Sequence, residues 1–111
     1  MKEVENLFRN ALFEYLNEDI RENNGLIKVG GESLGVKEII EIELLENKEF
    51  NISLLNGNLN KISVRGALGL KEVTNYGFKK SCLRFNLIDV CLKFSNGIFS
   101  IQNIENCRYS R

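Results

Sequence analysis

The sequence contains no histidine, and its three cysteines are an odd number without a C-x-x-C pair. Histidine is the usual general acid or base at neutral pH, so its absence argues against that kind of catalysis and leaves a thiol without its usual base. The cysteines, Cys82, Cys91 and Cys107, are one ligand short of a four-cysteine zinc site. We therefore expect reduced thiols that serve as small buried side chains, and no metal. Cys91, whose parity points away from the predicted core, is expected to be the most exposed of them or to be covered by a partner or by the helix.

Long apolar runs are also missing. The longest purely apolar runs, such as Leu54-Leu55 and Ala67-Leu68, have two to four residues, whereas a membrane-spanning helix needs about 20 mostly apolar residues. Glu3 and Glu5 stand where a secretory signal would have a basic region followed by an apolar one. The expected location is the cytosol, and no membrane is expected among the partners.

Few residues remain as candidates for chemistry. No glycine-rich loop has the context of a phosphate-binding motif. Glu41 and Glu43 lie two apart, as a catalytic carboxylate pair could, but this spacing is more typical of a solvated strand face. Asp89 lies at a predicted kink, where it could form a site with Arg84 or cap a turn. We therefore expect a non-enzymatic protein without a cofactor.

Length and periodicity predict one domain, residues 1–111, that begins with a helix. Apolar residues recur at helical spacing near the N-terminus, and Asn23-Asn24-Gly25 then supplies residues that tolerate the left-handed conformation. We predict a helix from about 3 to 22. Its buried side is expected to comprise Val4, Leu7, Phe8, Ala11, Leu12, Tyr15 and Leu16, extended by Ile20.

After the helix the apolar period changes to that of a strand, and residues 26–104 are predicted to be rich in β-structure. Alternation indicates strands at 38–44, 50–54 and 61–65, the first two joined by a loop at 46–48. Residues 66–80, which are punctuated by glycines, predict a loop plus a short strand.

The C-terminal part predicts a hairpin with a type I′ turn at Asn96-Gly97, which would place Phe94 opposite Phe99. Upstream, Leu83, Phe85 and Leu87 alternate on one parity, whereas Ile88, Val90 and Leu92 use the other. A strand cannot change parity without a bulge or turn, which we therefore place at 86–89.

These elements predict an α+β domain in which a long N-terminal amphipathic helix packs on one face of an antiparallel sheet of about five or six strands. The predicted core consists of Leu7, Phe8, Leu12, Leu16, Ile40, Ile42, Leu44, Phe50, Ile52, Leu54, Ile62, Val64, Phe85, Leu92, Phe94, Phe99 and Ile101.

Charge is distributed unevenly along the chain. Residues 1–60 contain twelve acids and six bases, a net charge of −6, and residues 61–111 contain nine bases and three acids, a net charge of +6. A folded domain with this split is expected to present an acidic and a basic surface, and such surfaces steer charged partners. The predicted partner-binding acids are Glu14, Glu18, Asp19, Glu22, Glu41 and Glu43, and the secondary basic patch comprises Lys79, Lys80, Arg84 and Arg108.

These features favour a small protein-binding module of the kind to which immunity proteins and phage anti-defence inhibitors belong. Its acidic surface would cover a basic active site of another protein. A hydrolase or nuclease that uses carboxylates and a metal is supported only by the number of acids, which are mostly placed like surface residues. Two further alternatives stay open. One is a homo-oligomer with charge-matched subunits that sequesters or senses a small ligand. The other, which the acidic half disfavours, is a nucleic-acid binder that stacks bases on Tyr76, Phe78 and Tyr109.

Overall fold

The computed structural model describes residues 2–45 and 59–111, and within them it confirms the predicted α+β architecture. One helix is followed by antiparallel strands that neighbour one another in chain order. The elements are α1 (Lys2–Glu22), β1 (Leu26–Val29), β2 (Glu32–Leu44), β3 (Leu59–Thr74), β4 (Gly77–Ser95) and β5 (Ile98–Glu105). The predicted strand at 50–54, with Phe50, Ile52 and Leu54, and the loop at 46–48 lie outside the described residues.

Helix α1 ends where its sequence predicts. Asn24 has a left-handed φ of 60°, the Gly25 N–H donates to the Ile20 carbonyl at 2.8 Å, and the Asn24 N–H donates to the Arg21 carbonyl at 3.3 Å. This is the Schellman arrangement, which satisfies the last carbonyls of a helix. Within the described part of the chain, no helix combines the length and the apolar composition needed to cross a membrane.

The predicted C-terminal hairpin is confirmed. Asn96 and Gly97 have φ values of 53° and 76°, as a type I′ turn requires. The register places Phe94 opposite Phe99, and the centroids of the two rings lie 4.6 Å apart.

The expectation of a loop and a short strand over 66–80 is wrong. This stretch forms the end of β3, a turn at Asn75-Tyr76 and the start of β4, with continuous pairing between the two strands. Gly66 lies within β3, so close to β2 that a Cβ there would overlap the carbonyl oxygen of Glu43. This glycine permits close approach of two strands and does not mark a turn.

Because β2 contains bulges, its residues do not alternate strictly between buried and exposed. The register with β3 shifts at two places along 36–41. Buried residues therefore recur at every third position, at Val36, Ile39 and Ile42, whereas Ile40 is 38% exposed. The prediction that Ile40 belongs to the core is wrong, because a period of two does not continue through a bulge.

Strand β4 contains the predicted bulge. Two residues of β4 oppose Arg65 alone in the register with β3. The buried positions change parity there, from Leu83 and Phe85 before the bulge to Ile88 and Val90 after it.

The segment beyond β5 lies between β4 and β1. Ser110 and Arg84 exchange two backbone hydrogen bonds of 2.7 and 2.9 Å, and Tyr109 forms a parallel bridge to Val29 of β1. Helix α1 contacts β1 and β2 toward one margin of the sheet and β5 toward the other. The sheet therefore curls around α1, and residues 109–110 join its two margins.

The core lies between α1 and the concave face of the sheet. The predicted core residues that are buried are Phe8, Leu12, Leu16, Ile42, Ile62, Val64, Phe85, Leu92 and Phe99. Leu44, Phe94 and Ile101 are only partly buried against this core. The prediction for Leu7 is wrong, since it is 46% exposed: the helix packs along the ridge of residues four apart that begins at Phe8. Buried residues that the predicted list lacks include Ile39, Leu68, Leu70, Leu83, Ile88 and Val90.

The cysteines also differ from the prediction. Cys82 and Cys107 are exposed, and Cys91 is the least exposed of the three. Cys91 is paired with residues of β3 on one side and of β5 on the other, so neighbouring side chains partly cover it. Cys82 precedes the part of β4 that β5 flanks, which leaves it open to solvent.

Candidate functional site

The outer face of the sheet, turned away from α1, carries charges of opposite sign on neighbouring strands. The register places a residue of β2, one of β3 and one of β4 side by side in three consecutive rungs. The rungs are Glu43–Ala67–Arg84, Glu41–Gly69–Cys82 and Glu38–Lys71–Lys80. We call these nine residues the striped face. Its β2 row is acidic, and its β4 row carries the basic residues Arg84 and Lys80.

Small residues keep the centre of the striped face low. A Cβ at Gly69 would lie 3.4 Å from the Cβ of Glu41, 3.8 Å from the Cγ1 of Ile40 and 3.9 Å from the Oε2 of Glu41. The Glu41 side chain therefore reaches the space beside Gly69, where β3 itself has no side chain. Ala67 occupies the neighbouring outward position on β3. Another surface could therefore approach the β3 backbone closely at this point.

Most charges of the striped face are free to meet a partner. Lys71 Nζ lies 3.4 Å from Glu38 Oε1, but both side chains are more than 40% exposed, and a surface ion pair of this kind contributes at most about 1 kcal/mol. The other four charged residues form no ion pair with a described residue. They are Glu41, Glu43, Lys80 and Arg84.

An apolar patch continues the striped face toward the turn between β3 and β4. Val73 and Phe78 are paired across the strands and are 49% and 54% exposed, and Tyr76 in the turn is fully exposed. Lys37 Nζ lies 4.6 Å from the centroid of the Phe78 ring, a cation–π geometry. Since this ammonium already covers one face of the ring, Phe78 is poorly placed to stack a base on that side.

The predicted partner-binding acids occupy three separate places. All six are exposed, and Glu41 and Glu43 belong to the striped face. Glu14 and Glu18 line a cleft between α1 and β2, together with Arg21, Lys37 and Glu38. Glu38 belongs both to the cleft and to the β2 row, so the two groups of acids adjoin each other, with the positive charges of Arg21 and Lys37 beside them.

Asp19 and Glu22 lie apart from that surface, near Tyr15. Burial raises the pKa of Tyr15, and the negative charges of Asp19 and Glu22 raise it further. Asp19 also lines a second cleft, of about 330 Å³, beside Cys107 and Tyr109. Although Cys107 is exposed as a residue, partial loss of hydration raises the pKa of its thiol, against the effect of its hydrogen bond with Tyr109, so this thiol is a poor nucleophile at neutral pH.

The predicted basic patch is divided in the same way. Lys80 and Arg84 lie on the striped face, whereas Lys79 lies beside Glu72 with Nζ and Oε2 3.5 Å apart. Arg108 lines a third small cleft with residues of the C-terminal segment. Only Lys80 and Arg84 therefore contribute to one surface.

Glu72 is a buried acid that the sequence analysis did not single out. Its side chain is 9% exposed and pairs with Arg111 Nη2 at 3.1 Å and with the Ser81 hydroxyl at 3.1 Å. Loss of hydration would raise the pKa of Glu72, but these hydrogen bonds and the charges of Arg111 and Lys79 hold it below its ordinary value. The only sequence signal for a buried position here is that Glu72 follows Leu70 by two residues, and so lies on the same, inward side of the strand as Leu70.

Asp89 has a structural environment and is not paired with Arg84. The Ser63 hydroxyl donates to one carboxylate oxygen, and Asn106 Nδ2 donates to the other at 2.7 Å. These two hydrogen bonds lower the pKa of Asp89. The carboxylate thus joins β3, β4 and the segment after β5.

Asn17 connects α1 to the edge of β2. Its Oδ1 accepts a hydrogen bond from the Ile39 N–H at 2.7 Å, and its Nδ2 donates to the Ile39 carbonyl at 3.2 Å. The side chain therefore pairs with the strand as a neighbouring strand would. This contact fixes the position of the cleft that contains Glu14 and Glu18.

Comparison with known proteins places the chain in no family. No protein-family model, no curated protein and no solved structure matches it.

Proposed function

We propose that this domain is a non-enzymatic protein-binding module that inhibits a partner through its acidic surface. The observation that carries the proposal is the position of Glu14 and Glu18 at the mouth of the cleft between α1 and β2, next to Glu38. A lysine or arginine of the partner would enter this cleft and meet several carboxylates at once.

The surroundings of the cleft support recognition of a cation. Glu14 and Glu18 form no ion pair with a described residue, and so their charges are available to a partner. The lining also contains Phe13 and Asn17, which would contact the aliphatic part of a lysine or arginine side chain. Arg21 and Lys37 line the cleft too, so it carries three acids and two bases. Charge complementarity of this kind speeds association and gives specificity.

Inhibition follows from where such a surface would bind. An enzyme that acts on nucleic acid or another polyanion carries a basic active site, and an acidic domain of this size would cover it. The nucleic-acid alternative has less support, because Lys79 and Arg111 are paired with Glu72 and Lys37 lies over Phe78.

The test compares capture of host proteins by the wild-type domain and by two variants with the same change in net charge. The double variant Glu14→Gln/Glu18→Gln removes two negative charges at the cleft. Glu32→Lys changes the net charge equally at an exposed position next to the turn between β1 and β2. Capture is done at about 100 mM salt, where the Debye length is about 10 Å.

A basic protein held by the wild type and by Glu32→Lys, but lost from the double variant, is the expected result. The activity of that protein should then fall on titration with the wild-type domain. Equal capture by the double variant would refute the cleft as the contact, and unchanged activity would refute inhibition.

A small-ligand function is supported by one observation, the cleft beside Cys107 and Tyr109. Its volume of about 330 Å³ lies at the lower end of the range for ligand sites, about 300–1,000 Å³. A soluble extract of the host, incubated with the domain and analysed by native mass spectrometry, would reveal a bound ligand. Such a ligand should be lost on Tyr109→Ala.

A further inference from the structure

We propose that the striped face is the interface of a symmetric homodimer, formed with a second copy of this chain. This goes beyond the proposed function, since it uses the convex sheet surface, of which only Glu38 also lines the cleft beside α1. Charge complementarity supports the proposal, because the face carries an acidic row on β2 and a basic row on β4, with β3 between them.

The arrangement of the rows selects one direction of the two-fold axis. An axis parallel to β3 and lying in the interface plane exchanges the left and right sides of the second copy. The acidic row of each copy then faces the basic row of the other. Each rung of one copy lies opposite the equivalent rung of the second copy. Glu43 of one copy would face Arg84 of the second, and Glu38 would face Lys80. An axis perpendicular to β3 would instead place acid on acid.

Spacing within the sheet agrees with this pairing. Neighbouring strands lie about 4.8 Å apart, so the β2 and β4 rows are separated by roughly 10 Å. Glu43 and Arg84 of one copy form no ion pair with a described residue. A second copy in this orientation would place a charge of opposite sign opposite each of them.

The low centre of the face allows the two sheets to meet. Gly69 and Ala67 would lie on the two-fold axis, where the same residues of both copies are adjacent. Since these positions have little or no side chain, the long charged side chains on either side can extend across the gap. Toward the β3–β4 turn, the exposed side chains of Val73 and Phe78 would add apolar contact at the end of the interface.

The interface can be tested by reversing one charge at a time. Glu43→Lys reverses a charge of the β2 row, and Arg84→Glu reverses the charge of the β4 row on the same rung. Sedimentation velocity at about 50 mM salt, where screening is weak, gives the oligomeric state of each protein. Wild type is expected to sediment at twice its 12.7 kDa chain mass, and each variant alone is expected to be a monomer.

Mixing the two variants separates loss of the interface from loss of folding. In a mixed pair, each reversed charge faces a charge of opposite sign, and the Glu38–Lys80 rung is unchanged, so an equimolar mixture should form heterodimers although neither variant forms homodimers. The proposal would be overturned by a monomeric wild type, by variants that remain dimeric, or by a mixture that stays monomeric. The variant Glu14→Gln/Glu18→Gln should remain dimeric, and this separates failure of the dimer from failure of the cleft.

Discussion

Replacement of Asn17 by alanine tests how α1 is attached to the sheet. The side chain makes two hydrogen bonds to the backbone of Ile39, and Ile39 is 1% exposed. Asn17 is half-buried, and the substitution should remove the side-chain partners of an N–H and a carbonyl of β2. A buried backbone group in that state is costly.

The size of the effect follows from the geometry of the two bonds. The Ile39 N–H bond is short, 2.7 Å, and its loss should cost about 2 kcal/mol, within the range for an unsatisfied buried group. The carbonyl bond is longer, 3.2 Å, and its loss should cost about 1 kcal/mol. Alanine favours a helix over asparagine by about 0.5 kcal/mol. The expected net loss is therefore about 2.5 kcal/mol, or roughly 10 °C in Tm for a chain of this size.

Asn10→Ala is the matched control, because Asn10 is an exposed residue of the same helix. It makes the same change in helix propensity without the contact to β2, so its Tm should equal that of the wild type or rise slightly. Thermal unfolding followed by circular dichroism measures both variants. If Asn17→Ala and Asn10→Ala unfold at the same temperature, the side chain of Asn17 does not hold the helix to the sheet.

Three further predictions concern single positions of the sheet. Gly66→Ala should destabilise the domain by about 1–3 kcal/mol through overpacking, whereas Gly31→Ala, which meets no atom within 4 Å, should leave Tm nearly unchanged; equal effects would contradict the close approach at Gly66. In urea unfolding, Phe85→Ala should cost about 3–5 kcal/mol and Phe94→Ala clearly less, because only the first ring is fully buried. The folded state lowers the pKa of Asp89 from its ordinary 3.8, so its contribution to stability is present above that pH and is lost as the pH falls through the folded value. Asp89→Asn should remove this part of the acid dependence of stability, and an identical pH profile for both proteins would argue against it.

Sequence patterns predicted the elements that are determined by residues close together in the chain. The helix and its end follow from apolar spacing and from the left-handed tolerance of Asn24 and Gly25. The C-terminal turn follows from Asn96-Gly97, and the bulge in β4 follows from a change of parity between Phe85 and Ile88. In each case, the decisive residues lie within a few positions of one another.

Tertiary packing decided what the sequence patterns could not. Residues 66–80 contain glycines that suggest a loop, but Gly66 is needed because β2 and β3 approach closely there. Ile40 was expected in the core because no local pattern reveals the bulges of β2. Glu72 and Asn17 were missed because their partners, Arg111 and Ile39, are distant in sequence.

The candidate site illustrates the same limit in terms of charge. The acidic and basic halves of the chain were visible in the sequence, but composition does not say whether they form opposite sides of the molecule or neighbouring rows. The meander topology decides this, because β2 comes from the acidic half, β4 from the basic half, and β3 separates them. Glu43 and Arg84 lie on either side of Ala67 and form no ion pair with a described residue. A surface of this kind keeps charges of both signs available for contact with another molecule, and a second copy in the proposed orientation would place a charge of opposite sign opposite each of these two residues.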